Sequence, residues 1–173
     1  MKRVYAFIGS ILMIFCTAFC APASCAEFSP ARKVQSVSLF LPNNEQVNIE
    51  ADFIHQFDNG AKMLCSRVQI LEKSNNVIST QKEAFYTDSN NNLIWKITLQ
   101  ASFSYNGTTS SCIAAYSYST VYSGNWSEDS NTTVPSANTA VAHVEMVRKV
   151  LFIIVERQNV VLTLSCDKDG NIT

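Results

Sequence analysis

The sequence predicts an all-β fold: a single antiparallel β-sandwich, Ig-like or a partly closed barrel, behind a cleaved N-terminal signal peptide. Three observations predict it. Apolar and polar residues alternate with period two in several separate runs. An Asn-Gly pair, Asn106-Gly107, joins two of those runs. Little of the remaining chain shows sustained helical spacing, and several antiparallel strands with little helix imply two packed sheets.

The N-terminus has the three parts of an export signal. Lys2 and Arg3 precede an apolar stretch from Val4 to Phe19, and the small residues Ala21, Ala23, Ser24 and Ala26 follow. Cleavage fits after Ala23 or Ala26, and Ala26 is favoured because Glu27 opens polar sequence. The stretch is shorter than the roughly 20 residues a spanning helix needs. The expected organisation is therefore a signal over 1–26, a loose segment over 27–35 and the sandwich over 36–173. Removing 26 of 173 residues leaves 147, enough for one core. Lys2 and Arg3 leave with the signal, so 11 basic residues face 14 acidic ones, a formal net charge of −3. No basic run remains, and a polyanion needs clustered Lys and Arg, so nucleic acid is not an expected partner.

Val47, Ile49, Ala51, Phe53, His55 and Phe57 alternate with mostly polar residues and read as a strand. Over 61–72 the apolar phase changes from Met63 and Cys65 to Val68 and Ile70, which a bulge near Ser66 and Arg67 would explain. Leu93, Trp95, Ile97, Leu99, Ala101, Phe103 and Tyr105 share one face. A two-residue type I′ turn at Asn106-Gly107 would then set Ala101 opposite Cys112, Ile97 opposite Tyr116 and Trp95 opposite Tyr118. Residues 123–138 are rich in Ser, Asn, Thr and Gly and read as a long exposed loop containing Trp126. Residues 140–155 fit either a strand or a short helix. Val160, Leu162, Leu164 and Cys166 share the face of a last strand that ends in a turn at Asp169-Gly170.

The cysteines expected in the exported chain are Cys65, Cys112 and Cys166. In an oxidising compartment two of them would pair, in any of three ways, and leave one buried thiol.

No catalytic signature is present: no nucleophile elbow, phosphate loop or zinc-protease helix. His55 shares a face with Phe53 and Phe57 and reads as a core histidine; His143 with Glu145 lacks a third ligand for zinc. Asp167-Lys168-Asp169-Gly170-Asn171 and Asp88, Asn90 and Asn92 resemble the opening of a calcium loop. Neither run has the closing Gly and Glu, and turns use the same residues. No metal or other cofactor is expected. The glycosylation triplets at Asn106, Asn125, Asn131 and Asn171 carry meaning only in a eukaryotic host. The remaining candidate is a set of ligand-contact aromatics, Trp126, Tyr118 and Tyr122, suited to stacking on a glycan or a peptide side chain. The competing arrangement places Tyr118 beneath Trp95 and uses Trp126 to pin its own loop.

Three runs (Ala51 to Phe57, Gln81 to Asp88 and Asn91 to Leu99), with the turn around Tyr105-Asn106-Gly107-Thr108 and the ending Leu162 to Asn171, resemble an uncharacterised group. Its members are small secreted proteins of anaerobic, clostridia-like Gram-positive bacteria. The resemblance implies a bacterial extracellular location, without glycosylation, and transfers no activity. The expected role is that of a secreted or surface-retained, non-catalytic binding or structural module, with a glycan or protein as ligand. The competing readings are a hydrolase using Asp52, Asp58 or Glu128, and an inhibitor or effector acting through 123–138.

Overall fold

The fold is that of a computed structural model, which describes Ala23, Ser24 and residues 34–173. The expected signal therefore lies outside the described residues except for its Ala23–Ser24 pair. Eleven strands account for the described secondary structure: β1 (Ala23–Ser24), β2 (Gln35–Phe40), β3 (Gln46–Gln56), β4 (Lys62–Ser66), β5 (Gln69–Ser74), β6 (Val77–Thr87), β7 (Leu93–Tyr105), β8 (Ser110–Val121), β9 (Trp126–Ser136), β10 (Thr139–Val150) and β11 (Ile153–Ser165). They form two sheets, ordered β1-β11-β10-β9 and β2-β3-β4-β6-β7-β8, with β5 paired to β6 beside β4. All ladders are antiparallel except the short pairing of β1 with β11. Cleavage after Ala26 would remove β1 and leave β11 as the sheet edge.

The sandwich core follows from the period-two pattern. Met63, Cys65, Ile78, Ala84, Trp95, Ile97, Leu99 and Phe103 of the large sheet meet Ala140, Ala142, Val144, Met146, Val160, Leu162 and Leu164 of the small one. A smaller cluster of Leu39, Ala51, Leu64, Phe85 and Leu93 is separate from it; Leu64 and Phe85 point from the other face of β4 and β6. Residues 140–155 are strand, turn and strand, so their helical spacing was coincidental: it spans the reversal at Leu151 and Phe152.

Four turns share one chemistry. In the turns 41–45, 57–61, 88–92 and 167–171 the first residue's N–H donates to the fifth residue's carbonyl, and the fourth residue's N–H to the first. The fourth residue (Asn44, Gly60, Asn91 or Gly170) has positive φ, as a three-residue hairpin loop requires.

Three expectations about local structure are overturned. At Ser66 and Arg67 the 61–72 stretch does not bulge but breaks: β4 ends at Ser66, β5 begins at Gln69, and the Arg67 N–H donates to the Glu50 carbonyl at 3.1 Å. The register shift of this stretch comes later, at Leu71 between Ile70 and Glu72. Residues 126–136 are not a loop but β9, paired along β10 from Trp126 opposite Arg148 to Ser136 opposite Thr139. The β7–β8 register also differs. Tyr105 pairs with Ser110 across a four-residue loop, and Ser102/Phe103 pair with Ala114/Cys112, leaving Ile113 as a bulge. The Asn106 side chain accounts for the longer loop, because its Oδ1 accepts from the N–H groups of Thr108 and Thr109 at 2.9 and 2.8 Å. Gly107, with φ +80°, donates its own N–H to the Lys168 carbonyl at 2.8 Å.

Candidate functional site

The altered register decides which side chains face outward. Two extra loop residues keep the phase of β8, but the bulge at Ile113 reverses it, and an odd shift moves every side chain to the other face. Tyr116 therefore stands opposite Gln100 and Tyr118 opposite Thr98, on the outer face of the large sheet. Tyr116 is 55% and Tyr118 41% exposed, and their rings stack with centroids 6.3 Å apart. This corrects the expectation that both face the Trp95 side.

Beside the tyrosines runs a row of three side-chain amides across β5, β6 and β7, which the Tyr116 hydroxyl extends to β8. Gln81 Nε2 donates to Gln69 Oε1 at 2.8 Å, Gln100 Nε2 donates to Gln81 Oε1 at 3.0 Å, and the Tyr116 hydroxyl donates to Gln100 Oε1. Each amide uses only part of its capacity, leaving further donors and acceptors for a ligand. One row along, Glu83 joins Lys96 at 3.0 Å and accepts from the Thr98 hydroxyl at 3.1 Å. Burial works to lower the Lys96 pKa, but the bond to Glu83 and its charge outweigh it and hold the ammonium up.

The same face opens into a groove of about 660 Å³, whose lining includes Asn48, Glu50, Arg67, Gln69, Glu83 and Lys96. Its charges are largely matched: Arg67 is shared by Glu50 at 3.4 Å and Asp52 at 3.8 Å, and Lys96 neutralises Glu83. Such a groove offers polar atoms with little net field, which suits an uncharged polar ligand.

The other sequence candidates are scattered. Trp126 is buried, with its ring 5.2 Å from Tyr86 and 6.0 Å from Trp95, so it belongs to the core and not to a contact surface. Tyr122 is half-buried against the smaller cluster, its N–H donating to the Ile94 carbonyl. His55 is exposed and meets Phe57 edge-on at 4.7 Å, contrary to the core position expected. His143 is also exposed, on the outer side of β10. Of the acids considered for hydrolysis, Asp52 pairs with Arg67, Asp58 lies in the 57–61 turn, and Glu128 of the small sheet accepts from Asn131 on its own strand and from Ser119 of β8 on the large sheet.

The calcium-like runs spend their carboxylates locally. Asp88 Oδ1 accepts from the N–H groups of Asn90 and Asn92, and Asp167 Oδ1 from those of Asp169 and Asn171. The Asn171 side-chain bond, with the backbone N–H groups, holds Asp167 below the usual carboxylate range. No three His, Cys, Asp or Glu residues among those described could hold a metal ion. Cys112 and Cys166 are free thiols, so Cys65 pairs with neither and the expected bridge within this trio does not form.

The chain matches no protein-family profile and no curated protein. Among solved structures it is similar to a hypothetical protein of Listeria monocytogenes, at 12% identity and TM-score 0.41, over 81% of this chain and 95% of that one. The β-sandwich assignment rests on strand pairing and not on that likeness.

Proposed function

We propose that the chain is an extracytoplasmic, non-catalytic binding module that recognises a glycan on the outer face of its large sheet. The observation that carries this reading is the exposed Tyr116–Tyr118 stack set flush against the Gln69–Gln81–Gln100 row. A sugar ring presents an apolar C–H face and a rim of hydroxyls; tyrosine rings suit the first, and amides that donate and accept suit the second. Rigid strands hold both groups, so little ordering cost accompanies binding. The export signal and the resemblance to small secreted proteins support an encounter with cell-wall or host polysaccharide outside the cell. Pairing of Glu50, Asp52 and Glu83 with cations supports binding over hydrolysis, which needs carboxyl groups free to exchange protons.

Titration calorimetry of the exported domain with solubilised cell-wall and host glycans tests the proposal. Tyr116→Ala with Tyr118→Ala should weaken binding at least about tenfold, the loss of one good aromatic contact. Unchanged affinity in that variant would remove this face from consideration. Release of reducing ends during the titration would return the hydrolase reading instead.

A further inference from the structure

The β10–β11 hairpin ends in six consecutive apolar residues, Val150 to Val155, all of them exposed. Its two turn residues are Leu151 and Phe152, 85% and 98% exposed, with φ +48° and +68°. Positive φ at both central positions defines a type I′ turn, which strongly favours Asn and Gly. The four recurrent turns of this fold obey that chemistry by placing Asn44, Gly60, Asn91 and Gly170 at positive φ. Here two bulky side chains occupy the strained positions and have almost no protein surface to pack against. Such strain persists where a function selects for it.

The tip also stands clear of the sandwich. The last tie to β9 is Arg148 opposite Trp126, with the Lys149 N–H donating to the Asn125 carbonyl at 2.9 Å. Beyond it Lys149 pairs only with Ile154, and Val150 only with Ile153. At about 3.4 Å per residue the apex projects about 7–10 Å, close to the depth at which peripheral proteins bury apolar groups in the headgroup–acyl boundary. Below it stands one unpaired cation: Lys149 is exposed with no carboxylate partner among the described residues, whereas the neighbouring Arg148 is neutralised by Glu156 at 2.9 Å. The nearby acid, Glu156, is turned inward to Tyr86, Arg148 and Gln158. Six residues are too few to cross a bilayer, and no helix among the described residues is long and apolar enough to do so.

We propose that this hairpin tip is a peripheral membrane anchor, inserting Leu151, Phe152 and Ile153 into an anionic bilayer while Lys149 meets lipid phosphates. The anchor is independent of the Tyr116–Tyr118 face, which lies on the other sheet. The test is co-sedimentation of the exported chain with phosphatidylcholine vesicles, with and without phosphatidylglycerol. The wild type should partition onto the phosphatidylglycerol vesicles. Leu151→Asn with Phe152→Gly, which gives the turn its preferred residues and so preserves folding, should reduce partition at least about tenfold. Lys149→Gln should weaken it about fivefold on anionic vesicles only, as expected for one surface cation. Tyr116→Ala with Tyr118→Ala should leave it unchanged. No vesicle binding by the wild type, or equal binding by the turn variant, overturns the proposal. A concentration-dependent dimer in sedimentation velocity that the turn variant dissolves, with no vesicle binding, would assign the tip to a second copy of the chain and overturn it as well.

Discussion

The ring of Tyr105 lies directly over Gly170, so that a Cβ on the glycine would come 2.6 Å from Cζ. Gly170 also has φ +81°, and the Gly107 N–H reaches the Lys168 carbonyl next to it. The C-terminal turn is thus docked onto the end of the β7–β8 hairpin through a contact only glycine permits. Gly170→Ala should cost about 1–3 kcal/mol in urea denaturation, from backbone strain and the ring contact together. In a Tyr105→Ala background the same substitution should cost measurably less, because only the backbone part remains. Equal costs in both backgrounds would show that the ring contributes nothing.

Tyr86 on the large sheet donates its hydroxyl to Glu156 on the small one at 2.9 Å. Burial, then the Glu156 charge and that bond, raise the Tyr86 pKa above its ordinary 10.0. A raised folded-state value means that the native chain holds its proton longer than the unfolded chain. The stabilisation is therefore complete below about pH 10 and is lost progressively as pH rises above it. Tyr86→Phe should flatten the alkaline limb of a Tm-against-pH curve without removing it, because Lys96, also raised, adds to the same loss. An alkaline limb identical to the wild type would contradict the Tyr86 assignment.

How much of this was legible depended on burial. β7 was readable to its ends because its alternate residues Trp95, Ile97, Leu99 and Phe103 are all buried. β9 was not, because an edge strand needs no apolar face. Its contacts with β8 run through Ser117 to Asn131 and Thr133 and through Ser119 to Glu128, an alphabet shared with loops. Of the Tyr116–Tyr118 platform the sequence offers Tyr118 as a contact residue but not Tyr116 or the outward face, for a related reason. Two aromatics at i and i+2 announce a shared face but not which one, and that choice rested on a bulge at Ile113 with no marker in the sequence. The turns divide the same way. Asn106-Gly107 has type I′ chemistry, yet side-chain capping by Asn106 makes a longer loop there, while the fold's reversal with both central φ positive falls on Leu151-Phe152.

The Glu83–Lys96 pair should behave as a half-buried ion pair. Glu83 and Lys96 side chains are 12% and 26% exposed, and the Glu83 N–H is bound by Ser66 Oγ at 3.0 Å. Lys96→Met strands a carboxylate among Thr98 and Phe85 and should cost about 1–3 kcal/mol, less than for a fully buried pair because water still reaches the ammonium. Glu83→Gln combined with Lys96→Met should cost less than the sum of the single changes, since neither partner is left charged and alone. Additive costs in denaturant titration would mean that the two charges do not interact.

The thiols give the last prediction. Cys112 and Cys166 pack against one core, and their N–H groups donate to the adjacent carbonyls of Ala137 and Asn138 at 2.6 and 3.0 Å. Burial pushes both thiols up; for Cys166 the Asp167 charge adds to it and Lys73 opposes it. Because the thiolate is the reactive species, both should alkylate slowly at neutral pH in the folded chain. Cys112, half-buried, should label first, and fully buried Cys166 only when the sandwich opens, so that its rate follows denaturant concentration. Peptide mapping of protein alkylated before and after unfolding distinguishes the two. Rapid native labelling of Cys166, or a Cys112–Cys166 cross-linked peptide under non-reducing conditions, would show that this end of the sandwich is packed differently.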